Sequence, residues 1–186
     1  MSEQPIVITM GDPSGVGAEV TAKAMAGLSP EERARYAVIG DSDTMERAVR
    51  AAGLELGLRP QGPGGDASAL QMIHVPVDGL PGKFGVLSEA CGEACFRYIK
   101  KAVDLTSAGD ASCIVTAPIN KAALNSAGHH YDGHTGMLAH LTGCKSSWML
   151  LASPTLNVLH VSTHVSLKDA IDRATPERVL ETIRTG

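Results

Sequence analysis

Short apolar runs alternate with helical patterns along most of the chain, and this alternation limits the fold more than any other feature. Apolar, β-prone runs lie at residues 5–10, 36–39, 71–77 and 111–116. Helical patterns separate them, the longest at residues 86–106, where apolar residues recur every three or four positions. This alternation is typical of an α/β protein with a largely parallel sheet. A chain of 186 residues can bury such a core without disulfides or a structural metal.

The first apolar run leads into a glycine-rich loop at residues 11–17 and then into a helical pattern. A strand, a glycine loop and a helix start in this order can present backbone N–H groups and a positive dipole end to an anion. The loop matches neither the Walker A pattern nor G-x-G-x-x-G. Two interpretations stay open. The loop is a tight turn that needs glycine for a positive φ, or its Gly11, Gly15 and Gly17 contact a cofactor or a phosphate.

Composition excludes several classes of function. A formal net charge of -4, without a block of lysine and arginine, argues against a nucleic-acid surface. No apolar run approaches the ~20 residues of a membrane span, and the first residues lack the basic and apolar segments of a signal peptide. We therefore expect a cytoplasmic protein that binds neither nucleic acid nor a membrane. Cys91 and Cys95 lie one helical turn apart, and we interpret them as small core residues.

Two short segments carry the residue types of an active site. His134 and Thr135 follow a glycine, and His164 follows two hydroxyl residues at the end of an apolar run. Imidazole can bind a metal or a substrate oxygen, but a catalytic metal site usually takes three protein ligands and an open position. Spacing alone leaves His164 open as a ligand or a structural residue. It leaves His134 open as a substrate contact or a helix cap. The pattern assigns no catalytic residue.

The predicted organisation divides the chain near residue 125. Residues 1–125 form a first α/β domain with the glycine loop, and residues 126–186 begin a second α/β domain that carries the two histidine segments. In this second part the pattern predicts strands at 148–152 and 156–161 and a helix over 167–173. Residues 116–121 lie at the carboxyl end of a predicted strand, where ligands collect in parallel sheets.

In these motifs the chain resembles the 4-hydroxythreonine-4-phosphate dehydrogenase family, including its 4-phospho-D-threonate/erythronate dehydrogenase branch. The motifs that match lie at residues 10–17, 116–121, 133–135 and 162–167. The resemblance implies a three-layer fold like that of isocitrate and isopropylmalate dehydrogenases, and a homodimer with its active site at the subunit interface. It also implies NAD-dependent oxidation of a secondary alcohol on a small phosphorylated acid, with loss of CO2. NADP is the alternative cofactor. The substrate is either 4-phosphooxy-threonine, for pyridoxal phosphate synthesis, or 4-phospho-threonate/erythronate, for catabolism, and the motifs lean toward the second.

The resemblance implies roles for single residues as well. His134 and Thr135 match the family's substrate-binding pair, and His164 matches the first of its three metal-binding histidines. The metal is a divalent ion, zinc, manganese, magnesium or cobalt. Such an ion can stabilise the alkoxide as hydride leaves and then the charge that develops as CO2 leaves. Gly136 stands where the family usually has an acidic residue.

Members of this family are longer than the present chain. Their other two metal-binding histidines, and the Lys, Asn and Arg that contact the phosphate, lie beyond the position of residue 186. We therefore expect a fold that is incomplete at its C-terminal end, in a truncated piece or a degenerate copy of such an enzyme. Whether this chain is active alone stays open. The alternative function is a non-catalytic truncated remnant that folds and dimerises without turnover.

Overall fold

Two compact units make up the chain, Met1–Gly143 and Cys144–Gly186. The predicted domain boundary near residue 125 stays a prediction. A computed structural model describes residues 4–62, 66, 68–144, 146–163 and 165–186.

A five-stranded sheet forms the centre of the first unit. Its strands are β1 (Ile6–Thr9), β2 (Tyr36–Gly40), β3 (Leu58–Pro60), β4 (Leu70–His74) and β5 (Cys113–Thr116). They stand in the order β3-β4-β2-β1-β5, and every pairing in this sheet is parallel. The predicted α/β fold with a largely parallel sheet is confirmed.

Six helices accompany this sheet in the described part of the first unit. They are α1 (Gly17–Ala26), α2 (Pro30–Arg33), α3 (Ser42–Ala51), α4 (Glu89–Ala108), α5 (Lys121–Ser126) and α6 (His134–Leu141). The long predicted helix is α4, which begins three residues later than the pattern suggests. Local caps set other ends: the Asp41 carboxylate accepts a hydrogen bond from the Thr44 N–H at the start of α3. The structure adds α2, whose start is closed by a capping box of Ser29 and Glu32.

Helix α4 supplies much of the core. Its buried face carries Ala94, Tyr98 and Ala102, which pack with the strands in one apolar cluster. Cys91 and Cys95 are buried, free cysteines on the same helix. Their interpretation as core residues is confirmed.

The main chains of helices α4 and α5 lie in direct contact. A Cβ placed on Gly92 of α4 would lie 1.9 Å from the carbonyl oxygen of Ala123 in α5, so the contact requires a residue without a side chain. The start of α5 is closed by Asn120, whose Oδ1 accepts hydrogen bonds from the N–H groups of Ala122 and Ala123. The segment after β5 therefore packs on helix α4.

The second unit holds a hairpin and two helices. Strands β6 (Leu150–Ala152) and β7 (Asn157–Leu159) pair antiparallel, and both are shorter than the predicted runs. Helices α7 (Leu167–Arg173) and α8 (Pro176–Thr185) follow, each with a hydroxyl side chain that caps its first turn. No helix among the described residues is both long and apolar enough to cross a lipid bilayer.

Candidate functional site

Two of the motifs singled out in the sequence meet at the carboxyl edge of the sheet. Thr9 of β1 pairs in register with Thr116 of β5, so the glycine loop and the segment after β5 leave the sheet side by side. The Ala117 N–H donates to the Thr9 carbonyl at 3.0 Å, and the Asp12 N–H donates to the Pro118 carbonyl at 3.0 Å. Ligands of parallel sheets collect at this edge.

The glycine loop is packed against its own protein. Gly11 has a φ of 75°, and a Cβ there would lie 2.2 Å from the Pro118 carbonyl oxygen. A Cβ on Gly17 would lie 2.3 Å from the Met10 carbonyl oxygen. Both glycines are buried, whereas Gly15 is half-buried. Internal contacts thus account for Gly11 and Gly17, and contact of the three glycines with a cofactor stays a prediction.

Behind the loop lie polar groups that the sequence did not single out. The Asp12 carboxylate is only 5% exposed and accepts a hydrogen bond from the Ser14 N–H at 2.8 Å. The Ser14 hydroxyl donates to the Lys83 carbonyl and accepts from the Cys91 thiol. Burial raises the pKa of Cys91, and burial raises the pKa of Cys95 to about 12. Both thiols are therefore protonated at neutral pH and are not nucleophiles.

His134 is the first residue of α6 and contacts the same edge of the sheet. Its ring is partly buried beside the backbone of Ala117, and its Nε2 is buried without any hydrogen-bond partner among the described residues. Burial lowers the pKa of His134, and the Ala117 contact opposes this shift only in part. The imidazole is therefore neutral at pH 7 and keeps one nitrogen lone pair unused.

Next to His134, the start of α6 offers donors to an anion. The first intrahelical bond runs from the Met137 N–H to the Gly133 carbonyl, so the N–H groups of His134, Thr135 and Gly136 have no intrahelical partner. The first turn has no acidic residue and no side-chain cap. The exposed Thr135 hydroxyl lies on this turn. Gly136 and the rest of the first turn therefore place no negative charge among these N–H groups.

The loop before α6 is fastened to α4 by His129. The ring of His129 stacks on Phe96 with centroids 3.8 Å apart, and its Nε2 lies 2.7 Å from Oε2 of Glu93. Arg97 Nε donates to the other oxygen of Glu93 at 2.6 Å. The hydrogen bond from His129, together with Arg97, lowers the pKa of Glu93. The sequence showed only crowded histidines here and did not identify this anchor.

His164, the predicted metal ligand, lies outside the described residues. Its neighbours Ser162 and Thr163 line a concavity of about 390 Å³ in the second unit, together with His160 and Arg178. The guanidinium of Arg178 lies 4.6 Å above the Trp148 ring, and its Nε donates to the Val161 carbonyl. Within the described ranges, no group of three or more His, Cys, Asp or Glu side chains could hold a metal ion. These residues therefore do not form a metal site by themselves.

Comparisons with known proteins agree with the motifs. A family model described as pyridoxal phosphate biosynthetic protein PdxA matches residues 32–186. The D-threonate 4-phosphate dehydrogenase of Cupriavidus necator is 44% identical over 190 residues, which cover 98% of this chain and 56% of that protein. The 4-hydroxythreonine-4-phosphate dehydrogenase of Geobacter metallireducens is 40% identical over 186 residues, which cover 96% of this chain and 54% of that protein.

Solved structures give the same result for the fold. The crystal structure of a 4-hydroxythreonine-4-phosphate dehydrogenase from Burkholderia phymatum superimposes with a TM-score of 0.87 at 42% identity, covering 99% of this chain and 57% of that one. The chain thus spans about half the length of the relatives that it matches.

Proposed function

Because this chain belongs to the family of the pyridoxal phosphate biosynthetic protein PdxA, we propose that it supplies substrate-binding residues to a dehydrogenase of small phosphorylated hydroxy acids. The reaction moves a hydride from the carbinol carbon to NAD, or to NADP, and releases the hydroxyl proton. When the oxidised carbon is β to a carboxylate, CO2 can leave: the electrons of the broken C–C bond pass into the new ketone to give an enolate, which then takes up a proton. We propose D-threonate 4-phosphate as the substrate, since the relative with that name is the more similar of the two compared here.

The unpaired nitrogen of His134 is the observation that carries this proposal. A buried acceptor without a partner costs about 1–3 kcal/mol, and such atoms are rare in folded proteins. The buried Nε2 needs a hydrogen-bond partner, and the hydroxyl of a substrate alcohol can donate to it when Nδ1 carries the ring proton. A hydrogen bond between this hydroxyl and His134 places the hydroxyl, which loses its proton in the oxidation, next to the imidazole as a base. His134 would therefore orient the alcohol and accept its hydrogen bond.

The start of α6 supports a second contact. A phosphorylated hydroxy acid has two anionic groups, and one of them can accept from the free N–H groups of His134, Thr135 and Gly136. The Thr135 hydroxyl adds a donor on the same turn. No acidic residue in this turn repels such an anion. One helix start can thus bind the hydroxyl and an anionic group of the same small molecule.

The remaining parts of the proposal rest on the family resemblance. They are a divalent metal with His164 as one ligand, a homodimer with an active site at the subunit interface, and a cytoplasmic enzyme with a possible place in pyridoxine biosynthesis as the alternative to sugar-acid catabolism. A bound metal would supply a Lewis acid for the alkoxide. The other ligands would come from residues outside this chain.

Calorimetric titration tests the proposal on the 186-residue chain. D-threonate 4-phosphate and 4-hydroxythreonine-4-phosphate are each added with NAD and manganese or zinc, and NADH formation is followed in parallel. We expect binding that weakens at least about tenfold in His134→Asn, since the shorter asparagine side chain does not reach the position of Nε2. The matched control is His140→Asn, an exposed histidine at the other end of α6.

Failure to bind either acid, from protein with native circular dichroism, would refute the proposal and support a non-catalytic remnant. Equal affinities of wild type and His134→Asn would refute the role of His134. Turnover would identify the substrate directly.

A further inference from the structure

The cavity of the second unit lies at the open end of the β6–β7 hairpin. Ser147 and Trp148 come before β6, and Val161 and Ser162 follow β7. All four line the same concavity of about 390 Å³. Ligand cavities measure roughly 300–1,000 Å³, so this volume suits a small molecule. Its lining lies within the second unit and does not include His134.

Arg178 forms one wall of this cavity. Its Nε donates to the Val161 carbonyl at 3.1 Å, and its Nη2 donates to the Ser147 carbonyl at 3.4 Å. These bonds connect the two sides of the hairpin and orient the guanidinium, which also lies 4.6 Å above the Trp148 ring. Among the described residues, Nη1 makes no hydrogen bond and has an ion pair with Glu181 Oε2 at 3.8 Å. An oriented guanidinium with unused N–H groups can donate to an oxyanion.

A second guanidinium belongs to the same lining. Arg173, in the last turn of α7, is exposed and makes no hydrogen bond or ion pair with another described residue. The described lining contains no Asp or Glu. Glu181 lies outside it, is 60% exposed and can offset only one of the two positive charges. Because two like charges beside one cavity repel each other, a bound anion would be stabilised there.

Hydroxyl groups complete the set of donors. Ser147, Ser162 and Thr163 line the cavity together with the two arginines. A phosphate monoester carries a charge of about −1.5 to −2 at pH 7 and has three strong acceptor oxygens. A carboxylate has one charge and two oxygens. Two guanidinium groups and several hydroxyls therefore match a phosphate better than a carboxylate.

We propose that this cavity is a phosphate site, in which Arg173 and Arg178 donate to the terminal oxygens of inorganic phosphate or of a phosphate monoester. Ser162 and Thr163 add their hydroxyls. The phosphate contacts that the family resemblance implies lie beyond residue 186, so this site is additional to them. The assignment to phosphate stands apart from the function proposed above. Only its identification with the phosphate of the hydroxy acid rests on that function.

The single tryptophan of the chain makes this site measurable. Trp148 lies in the lining and beneath Arg178, so its fluorescence reports on the cavity. Inorganic phosphate is added to the 186-residue chain at constant ionic strength, because salt screens exposed charges. Calorimetry follows the same titration. We expect saturable binding in the wild type, and its absence in both measurements would overturn the proposal.

A pair of charge-matched variants separates a site from general attraction. Arg173→Gln removes one cation of the lining, and Arg184→Gln removes the same charge from an exposed position in the last turn of α8. We expect phosphate binding to weaken at least about tenfold in Arg173→Gln and to stay within about twofold in Arg184→Gln. Equal weakening in both variants would overturn the proposal. Arg173 is preferred to Arg178 because Arg178 also holds the hairpin together.

Three probes distinguish the sources of the phosphate: inorganic phosphate, D-threonate 4-phosphate and D-threonate. Dependence of D-threonate 4-phosphate binding on Arg173 would assign the site to the hydroxy acid, and dependence of inorganic phosphate alone would assign it to the free anion. A response to D-threonate as strong as that to the two phosphates would overturn the choice of phosphate over carboxylate.

The same titration separates this proposal from the function proposed above. Inorganic phosphate has no alcohol for His134, so its binding should be unchanged in His134→Asn. Loss of phosphate binding in Arg173→Gln and loss of acid binding in His134→Asn are therefore independent results.

Discussion

Replacing Gly92 by alanine would perturb the contact on which the segment before His134 depends. The added Cβ would lie 1.9 Å from the carbonyl oxygen of Ala123, 2.4 Å from its carbonyl carbon and 2.9 Å from the Leu124 nitrogen. All three atoms belong to the main chain of α5, so no side chain can rotate away. An ordinary contact begins at 3.4 Å, and α5 would have to move by roughly 1.5 Å.

Two opposing effects set the size of the change. In a helix interior, alanine is favoured over glycine by about 1 kcal/mol. Overpacking of a close contact costs about 1–3 kcal/mol and more when the neighbour is rigid. Since the collision here is with backbone, we expect the cost to exceed the gain and Gly92→Ala to lower the free energy of unfolding by about 2 kcal/mol.

At Gly136 of α6 nothing lies within 4 Å of an added Cβ, so Gly136→Ala should stabilise the protein by about 0.5–1 kcal/mol.

Urea unfolding followed by far-UV circular dichroism compares the two variants with the wild type. We predict that the free energy of unfolding falls in Gly92→Ala and rises in Gly136→Ala. An unchanged dependence of this free energy on urea concentration (the slope m) would show that the denatured state is the same in all three proteins. Gly92→Ala with wild-type or higher stability, beside the expected gain in Gly136→Ala, would refute the reasoning that backbone contact requires glycine at residue 92.

Two further predictions concern the same region. Replacing His129 by alanine removes its stack on Phe96 and its bond to Glu93, so we expect a loss of about 1–2 kcal/mol and faster amide exchange over residues 128–133. Wild-type exchange rates there would contradict the anchoring role of His129. The second prediction concerns pH. Because burial lowers the pKa of His134 in the folded state, its contribution to stability is complete above the unfolded value of about 6.5 and is lost as the pH falls through the folded pKa. The Tm of the wild type should therefore fall more steeply below about pH 6.5 than the Tm of His134→Asn. If the two plots of Tm against pH were parallel, they would contradict a lowered pKa of His134.

The elements with clear periodicity could be predicted from sequence. The apolar run at 5–10 contains β1, the stripe at 86–106 matches most of α4, and the helix predicted over 167–173 is α7. Short elements were missed. Strand β3 has three residues and α2 has four, too few to show a period. Helix α6 also had no predicted counterpart, because it begins at a glycine without a side-chain cap or an acidic first turn.

The candidate site was predictable only in parts. His134 and Thr135 were found by their residue types and by resemblance, but nothing local indicated that Nε2 is buried and unpaired. Asp12 escaped notice because a carboxylate in a loop is usually solvated, whereas here it is buried against the turn of its own loop. The pair of Glu93 and His129 joins α4 to a loop 36 residues later, a distance at which no periodic pattern connects residues.

By itself, the sequence determined the alternation of strands and helices, the buried face of α4 and the family to which the chain belongs. These properties depend on residues a few positions apart, whose periodicity and caps act locally. Only the tertiary structure decided that Gly11 lies against Ala117 and Pro118. Their contact follows from the parallel pairing of β1 with β5, which brings together residues more than one hundred positions apart. Strand order and register arise from the packing of the whole core, and no local pattern encodes them.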